Sequence, residues 1–306
     1  MTSETSPPST FDKMLAQCRQ QYPRFAGQWE ASRTLFGDQW EKEFSAAAGA
    51  TFSPDPNPAW DDMITGYAEF CTEALRAQVF FEKNGRYKAD NYAAVNAECY
   101  QNGEFMLHRY LPGLYMSHYI WPHHYRLLRA FQDKLLPQLP ADTRTFYEVG
   151  VGCGMYSQLT LDALPGITGV GFDISDHALL FTSRMMEAHG LSGRFTVHNQ
   201  NIIETPIPEK ADFIISQEVL EHLEDPPAFI RGLLAGVKPG GWGYITAAIN
   251  AGHTDHIYLY RSPDEVRKEI EEAGWEVIDS VSESNYMDKP EHLRPTVAGF
   301  LVRRPS

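Results

Sequence analysis

The chain has 306 residues, enough to bury one large hydrophobic core or two modest ones. It is acidic, with 40 Asp and Glu against 26 Lys and Arg and a formal net charge of -14. No local basic patch offsets this charge, so we do not expect a nucleic-acid partner.

Cysteine usage and hydropathy exclude two further classes of protein. The four cysteines are scattered without CxxC spacing, which disfavours a zinc site and a disulfide framework. The N-terminus is polar and contains prolines, unlike a signal peptide, and no apolar run has the length of a membrane span. These features predict a cytoplasmic protein without a membrane partner.

The first 140 residues show no pattern of strands that alternate with helices. Their sequence predicts a mostly helical region. Residues 63–81 carry apolar side chains at helical spacing, namely Tyr67, Phe70, Ala74, Leu75 and Val79. Residues 107–136 are rich in aromatic side chains, and prolines at 54, 56 and 58 separate the pieces. We interpret residues 1–140 as a helical lid or substrate region, packed on a catalytic domain that spans residues 141–306.

From about residue 143 onward, short apolar strands alternate with amphipathic helices. This alternation predicts an α/β fold with a mostly parallel sheet and helices on both of its faces. The predicted strands are residues 145–149, 169–172, 194–198, 211–216, 242–248, 275–281 and 296–302.

A glycine-rich turn, Glu148-Val-Gly-Val-Gly-Cys-Gly154, follows the first predicted strand. Glycines at alternate positions let the backbone turn sharply and approach a ligand where a Cβ atom would collide. Glu148 precedes the turn and can support it through backbone N–H groups. Asp173 ends the second strand, at about the separation from the turn that a ribose-binding carboxylate requires. Together they predict a Rossmann-like nucleoside site.

This turn and the stretch Gln217-Glu-Val-Leu-Glu-His222 resemble motifs of class I S-adenosylmethionine (SAM) dependent methyltransferases. The second stretch is similar to that of the ubiquinone-type small-molecule methyltransferases. The resemblance covers roughly the C-terminal half of the chain. It implies a seven-stranded sheet whose last strand is inserted antiparallel, and it implies SAM as the cofactor.

The resemblance also assigns residues to the parts of SAM. The implied contacts are Gly150, Gly152 and Gly154 for the methionyl end, Asp173 for the ribose, Asn201 and Ile202 for adenine, and Gln217 beside the sulfonium. Ile174 is a further cofactor-binding residue. The superfamily usually has an aspartate where this chain has Asn201. The asparagine can still accept a hydrogen bond through its carbonyl oxygen.

Three residues are candidates for a general base, which methyl transfer needs only when the acceptor arrives protonated. They are His222, His123 and Tyr119. Helix packing is the alternative role for His222. Tyr115, Tyr119 and His123 lie in the aromatic segment, where the rings either face the sulfonium through cation–π attraction or form ordinary core.

The loop after the fifth strand contains His253, Asp255 and His256. Two histidines and one carboxylate within four residues, with no further ligand apparent in the sequence, make a poor metal site. We therefore predict no metal, and we interpret the loop as lining the acceptor pocket or holding the lid.

These observations predict a SAM-dependent methyltransferase that acts on a small-molecule acceptor by in-line methyl transfer. The alternative is a SAM-consuming enzyme of the same fold that attacks the aminobutyryl carbon and releases methylthioadenosine, for example by forming azetidine-2-carboxylate. A SAM-binding regulator without turnover is a third possibility.

Overall fold

The computed structural model describes residues 9–52 and 59–306, so the predicted break at prolines 54, 56 and 58 lies outside the described residues. Three long helices come first: α1 (Thr10–Gln21), α2 (Pro23–Thr51) and α3 (Ala59–Asn84). Ser9 caps α1, because its hydroxyl accepts a hydrogen bond from the backbone N–H of Asp12 at 3.1 Å. Gly37, with a φ of 73°, kinks α2. In the described part of the chain, no helix is both long and apolar enough to cross a membrane.

Shorter helical segments connect α3 to the sheet. They are α4 (Tyr92–Val95), α5 (Gly103–Phe105), α6 (Leu111–Ile120) and α7 (Pro122–Ala130). Three single π-helical turns lie among them, Asn96–Tyr100 after α4, Met106–Tyr110 after α5 and Phe131–Leu135 after α7. Such turns are rare and often occur at functional sites.

The C-terminal half forms a single seven-stranded sheet. Its strands are β1 (Thr145–Val149), β2 (Thr168–Asp173), β3 (Phe195–Asn199), β4 (Ala211–Ser216), β5 (Val237–Ile249), β6 (Glu276–Ser284) and β7 (Thr296–Arg303). The order across the sheet is β3-β2-β1-β4-β5-β7-β6. Strands β1 to β5 are parallel, and β7 is inserted antiparallel between β5 and β6. The predicted Rossmann-like fold and its antiparallel last strand are confirmed.

Four helices connect the strands: α8 (Met155–Ala163), α9 (Asp176–Ala188), α10 (Pro226–Ala235) and α11 (Pro263–Glu272). Side-chain oxygens of Ser175, Asp225 and Ser262 cap α9, α10 and α11 by accepting from the first turn of each helix. These caps fix where each helix begins relative to the strand before it.

The N-terminal helices and one face of the sheet share a hydrophobic core. Phe11 and Trp40 of α1 and α2 belong to the same buried cluster as Tyr115 of α6, Phe146 of β1 and Tyr156 of α8. A second cluster on the opposite face joins the sheet to α10 and α11. The N-terminal helices therefore cover apolar surface that the sheet would otherwise expose to water.

The predicted apolar stripe of α3 is buried only in its first part. Tyr67 and Phe70 lie in the core, whereas Leu75 and Val79 are 45% and 50% exposed. The reason is that α3 packs against α6 along its first turns and extends past it towards the loop after β5.

Candidate functional site

The glycine turn between β1 and α8 has the backbone that its sequence predicts. Gly150, Gly152 and Gly154 all have positive φ, at 73°, 51° and 72°. A Cβ atom on Gly150 would lie 2.4 Å from the Cγ2 atom of Val219, which belongs to the loop after β4. The two loops therefore pack in direct contact, and only glycine permits this approach.

Glu148 ties the end of β1 to the start of α8. Its Oε2 atom accepts hydrogen bonds from the backbone N–H of Ser157 at 2.8 Å and from the Ser157 hydroxyl. Glu148 is 2% exposed, and burial raises the pKa of its carboxyl to about 8 against these hydrogen bonds. Glu148 supports the turn without lining the cavity.

Asp173 at the end of β2 reaches across the glycine turn. Its Oδ2 atom accepts from the N–H of Gly152 at 3.0 Å, and its Oδ1 atom accepts from the N–H of Ser175 at 2.9 Å. Desolvation raises the pKa of Asp173, although these N–H groups oppose the shift. The carboxylate is thus fixed beside the turn, as a ribose ligand would have to be.

A cavity of about 620 Å³ begins at the glycine turn and extends under the N-terminal helices. Its volume lies within the range of about 300–1,000 Å³ that is usual for small-molecule sites. Nine of the thirteen predicted site residues line it: Gly150, Gly152, Asp173, Ile174, Asn201, Ile202, Gln217, His222 and His123. Among the described residues that line it there is no lysine or arginine, whereas Asp173, Glu218, Glu224 and Asp225 contribute carboxylates.

Asn201 lies at the cavity wall but is engaged in its own turn. Its Oδ1 atom accepts from the N–H of Ile203 at 3.0 Å, and its Nδ2 atom donates to Glu204 at 3.1 Å. Only the second lone pair of Oδ1 is left for an adenine amine.

Tyr115 and Tyr119 are not placed in the cavity. The hydroxyl of Tyr115 accepts from Thr51 at 2.9 Å, and its ring packs edge-on against Phe52. Tyr119 is 4% exposed and packs against Phe44 of α2. Helix α6 is buried on nearly every face, so helical spacing alone does not show which face meets the cofactor. Their predicted roles therefore have no support from the structure.

His123 lines the cavity but is a poor base. Its ring stacks on Trp121 at 5.7 Å, and burial lowers the pKa of His123 to about 3. A group with such a pKa is neutral at physiological pH and has little tendency to take a proton.

His124 beside it is also buried, with its Nε2 atom 3.8 Å from Oε2 of Glu218. Glu218 has a positive φ of 49°, and burial raises its pKa to about 8.

His222, in the 3₁₀ turn Leu220–His222, lines the same cavity and belongs to a polar cluster with residues of the loop after β5. Its Nδ1 atom lies 3.1 Å from the backbone carbonyl of Asp255 and 3.1 Å from the hydroxyl of Tyr100. Burial alone would lower the pKa of His222, but the charges of Asp255 and Glu221 raise it overall.

Asp255 is the centre of this cluster. Its Oδ2 atom accepts from the hydroxyls of Tyr110 at 2.7 Å and Tyr100 at 3.2 Å, and its Oδ1 atom lies 2.6 Å from Nδ1 of His253. Burial would raise the pKa of Asp255, but the neighbouring His222 and His253 hold it well below its usual range.

Tyr100 and Tyr110 are site residues that sequence reasoning missed. Each is the last residue of a π-helical turn, Asn96–Tyr100 and Met106–Tyr110, and both line the cavity. No local sequence motif marks a π-helical turn, so the aromatic richness of the segment was the only available signal.

Comparison with known proteins agrees with this geometry. A family described as a methyltransferase domain matches residues 147–242. The ubiquinone biosynthesis O-methyltransferase of Bordetella avium is 31% identical over 107 residues, which are 34% of this chain and 42% of that protein. The corresponding enzyme of Nitrosomonas europaea is 28% identical over 115 residues, which are 38% of this chain and 48% of that protein. The match thus spans less than half the length of both relatives.

Solved structures share the fold. The mitomycin 7-O-methyltransferase MmcR has a TM-score of 0.56 at 17% identity, over 85% of this chain and 75% of its own. The N-methyltransferase NodS from Bradyrhizobium japonicum, solved with S-adenosyl-L-homocysteine, has a TM-score of 0.50 at 18% identity, over 68% of this chain and 98% of its own. Residues 147–242, which contain the glycine turn and Asp173, form a methyltransferase domain, and the sheet around it has the fold of SAM-dependent methyltransferases.

Proposed function

We propose that this protein methylates a small-molecule acceptor with SAM inside the cavity beneath the N-terminal helices. The observation that carries the proposal is that one cavity is lined both by the glycine turn and Asp173 and by His222 with part of its polar cluster. The first set of residues suits the cofactor, and the second supplies polar groups to an acceptor.

The residues of the cofactor end fit SAM. Gly150 and Gly152 place no side chain between the cavity and the start of α8, and the N-terminus of a helix suits a carboxylate. Asp173 would hold the ribose hydroxyls, with Ile174 beside it, while Asn201 and Ile202 would border the adenine. Gln217 would border the sulfonium.

The electrostatics of the cavity also fit SAM. The cofactor carries a sulfonium cation, and the described residues of the cavity wall include carboxylates but no lysine or arginine. The same charge balance disfavours a phosphorylated or strongly anionic acceptor. Aromatic and aliphatic side chains such as Phe70, Leu114 and Trp121 line the remaining wall. We infer an acceptor that is small, partly apolar and not anionic.

The protein's contribution to the reaction is alignment and exclusion of water. SAM supplies an activated methyl group, so the walls need only hold an acceptor atom in line with it in a dry site. We propose that residues 1–140 act as a lid that excludes water from the site. In support, α3 contacts the loop after β5 closely: a Cβ atom on Gly252 would lie 2.6 Å from the backbone of Ala77.

At the acceptor end, His222 is the predicted catalytic residue whose placement fits. The backbone carbonyl of Asp255 accepts the proton on its Nδ1 atom, so the lone pair is on Nε2. Such a lone pair either takes a proton from the acceptor or binds a cation. The names of the curated relatives favour an oxygen atom as the site of methylation.

The competing reaction, attack on the aminobutyryl carbon of SAM, needs no second substrate. The relatives favour methyl transfer, and the cavity is also lined by His222 and His253, which the assigned cofactor contacts do not include. The two reactions release different products, because methyl transfer yields S-adenosylhomocysteine and the alternative yields methylthioadenosine.

The test is to incubate the purified protein with SAM alone and then with pools of hydroxylated small molecules, and to identify products by mass spectrometry. We expect S-adenosylhomocysteine only when an acceptor is present. Methylthioadenosine formed from SAM alone, above the enzyme-free blank, would replace the proposal with the competing reaction. SAM binding without either product across the pools would favour a regulator.

A further inference from the structure

A second, smaller pocket lies between the N-terminal helices and α8. Its volume is about 270 Å³, and none of the residues that line it also lines the larger cavity. This volume is below the range of about 300–1,000 Å³ that is usual for drug-sized ligands, so the pocket suits a ligand of a few non-hydrogen atoms. Its wall combines apolar and acidic side chains, namely Glu43, Ala46, Ala47, Tyr119, Leu128, Gln132, Gln158, Leu159, Asp162 and His189.

Asp162 is a carboxylate of this pocket that lacks a cation. It is the last residue but one of α8, where the helix dipole is negative, and no basic residue lies in that last turn. Its Oδ2 atom accepts a hydrogen bond from Nε2 of Gln158 at 3.2 Å. Among the described residues that line the pocket there is no lysine or arginine. A positive charge beside Asp162 would therefore be stabilising.

Gln158 gives a second, independent indication of a ligand. The side chain lines the pocket and is 6% exposed, yet its Oε1 atom has no hydrogen-bond partner in the described part of the chain. Its Nε2 atom donates to Asp162, so the amide group lies beside that carboxylate at the pocket. A buried amide oxygen without a partner is costly, and an N–H group of a ligand would satisfy it.

The other titratable groups of the pocket do not supply the missing positive charge. Burial lowers the pKa of His189, so its imidazole is neutral at physiological pH. Glu43 is a second carboxylate, and Arg129 already pairs with it at 2.7 Å. Burial, followed by the charges of Glu43 and Asp162, raises the pKa of Tyr119, so both carboxylates act on the same wall of the pocket.

We propose that this pocket binds a small aliphatic ammonium ion. The N–H groups of the ligand donate to the carboxylate of Asp162 and to Oε1 of Gln158. Its alkyl group packs against the apolar wall, which includes Ala47, Leu128 and Leu159.

A metal ion fits this pocket less well than an organic cation. The potential ligand atoms of Glu43, Asp162 and His189 do not all lie within 4.8 Å of one another, so they do not surround one ion. The apolar side chains also leave room that a metal ion would not fill.

The position of the pocket connects the N-terminal helices to the cofactor site. Helix α8 follows Gly154 of the glycine turn and reaches the pocket at Asp162, while the facing wall belongs to α2, α6 and α7. An ammonium ion in the pocket holds these walls together and stabilises α8. We therefore expect the ammonium ion and the cofactor to raise each other's affinity, because coupling between two sites is reciprocal.

The test uses n-butylammonium as the probe and butan-1-ol as its uncharged control of the same length. Isothermal titration calorimetry on the full-length protein should show one butylammonium ion bound per chain, and much weaker binding of butan-1-ol. Absence of butylammonium binding by a protein that binds S-adenosylhomocysteine would overturn the proposal. Equal affinity for butan-1-ol would overturn the role of the charge.

Two variants separate this pocket from the larger cavity, which also carries carboxylates. Asp162→Asn keeps an acceptor for Gln158 but removes the charge, so it should weaken butylammonium binding by roughly tenfold to a hundredfold. Glu224→Gln removes a carboxylate that lines the larger cavity and should leave this affinity unchanged. Unchanged affinity in the Asp162 variant would refute the assignment, and loss of affinity in the Glu224 variant alone would place the amine in the larger cavity.

The melting temperature distinguishes a ligand-binding role of Asp162 from a structural one. Without amine, Asp162→Asn should raise the melting temperature by about 1–3 °C, because it removes a negative charge from the negative end of α8. A lower melting temperature would show that the carboxylate stabilises the free protein, which contradicts a charge that lacks its cation.

The affinity for S-adenosylhomocysteine, measured with and without saturating butylammonium, tests the coupling. We expect binding at least about fivefold tighter with the amine, and no such gain in the Asp162 variant. Equal affinity in both conditions would remove the coupling. These titrations require neither an acceptor nor turnover, so a protein that binds the amine without methyl transfer would keep this site and lose the proposed function. Methyl transfer by a protein that does not bind the amine would do the reverse.

Discussion

Asp173 is held by N–H groups from both sides of the cofactor end of the cavity, Gly152 in the glycine turn and Ser175 at the start of α9. A carboxylate held in this way is already oriented before a ligand arrives, which reduces the entropy that binding would cost. The interaction that it offers to a ribose is therefore a property of one side chain and can be tested by one substitution.

We predict that Asp173→Asn weakens S-adenosylhomocysteine binding by roughly tenfold to a hundredfold, as loss of hydrogen bonds to a charged group costs about 1.5–3 kcal/mol. Isothermal titration calorimetry measures the affinity. Asp176→Asn changes a neighbouring carboxylate in the first turn of α9 that does not line the cavity and is the matched control. Equal affinity of the Asp173 variant and the wild type would remove the ribose assignment.

The raised pKa of the buried Glu148 carboxyl predicts that the stability of the protein depends on pH. The unfolded chain releases this proton near pH 4.5, whereas the folded protein keeps it up to about pH 8. Between these values the folded state holds one more proton, so its stability falls as pH rises, by about 1.4 kcal/mol per pH unit. Below pH 4.5 both states are protonated, and the full contribution is present.

Glu148→Gln cannot ionise, yet its amide oxygen can still accept from Ser157. We expect the free energy of unfolding of this variant, relative to wild type, to increase between about pH 5 and about pH 8. Urea unfolding at several pH values measures the difference. Glu187→Gln, at an exposed position of α9, should follow the wild type. Parallel curves for wild type and the Glu148 variant would contradict the buried, protonated carboxyl.

Among the structural elements, the glycine turn and the loop after β4 form one unit, because Gly150 lies directly against Val219. Gly190, at the end of α9, has a similar φ of 70° but nothing within 4 Å of a Cβ atom. A substitution at Gly190 therefore adds only backbone strain, whereas a substitution at Gly150 adds backbone strain and a steric clash with Val219.

We expect Gly190→Ala to cost about 1–2 kcal/mol of stability, the price of a left-handed alanine. Gly150→Ala should cost about 1–3 kcal/mol more, because the new methyl group displaces Val219. Thermal unfolding measures both, and S-adenosylhomocysteine affinity should fall only in the Gly150 variant. Equal losses of stability in the two variants would show that the loop after β4 moves away without cost.

The elements that the sequence predicts well are those with local signals. Each strand of the sheet was located within a few residues, because short apolar runs end at glycines, prolines and helix caps. The cavity-lining positions of Gly150 and Asp173 follow from a turn and a strand end, which are also local features.

The features that the sequence did not predict depend on tertiary packing. Tyr115 and Tyr119 are predicted at the cofactor, but α6 is buried on nearly every face, and its spacing does not show which face meets the cavity. Tyr100 reaches Asp255 only through the register of a π-helical turn. Glu221 and His256 are 35 positions apart in sequence and meet only because β4 and β5 are adjacent in the sheet.

At the scale of the whole molecule, the charge of the cavity and its cover act together. The described wall carries carboxylates without lysine or arginine, and in our proposal the N-terminal helices exclude water from it. Low water content strengthens the attraction between carboxylates and cations. We therefore expect substitutions in the N-terminal helices to change activity even where the substituted residue lies far from the reacting atoms.

Gln78 of α3 is one of the hydrogen-bonding links between the N-terminal helices and the loop after β5. Its Oε1 atom accepts from the N–H of Gly252 at 2.7 Å, and its Nε2 atom donates to the carbonyls of Asn250 and Leu293 at 3.3 and 3.2 Å. The side chain is 6% exposed, so these groups have little access to water. One amide thus connects α3 to the loop that carries His253 and His256.

We predict that Gln78→Met, which keeps the length of the side chain, loosens the lid without unfolding the protein. The buried N–H of Gly252 loses its acceptor, at a cost of about 1–3 kcal/mol, so amides of residues 250–257 should exchange with deuterium roughly tenfold to a hundredfold faster. Asn84→Met, at an exposed position of the same helix, is the control and should leave exchange in that loop unchanged. If both variants exchange at the wild-type rate, other contacts hold the lid. If both exchange faster, the effect belongs to α3 as a whole and not to the Gln78 amide.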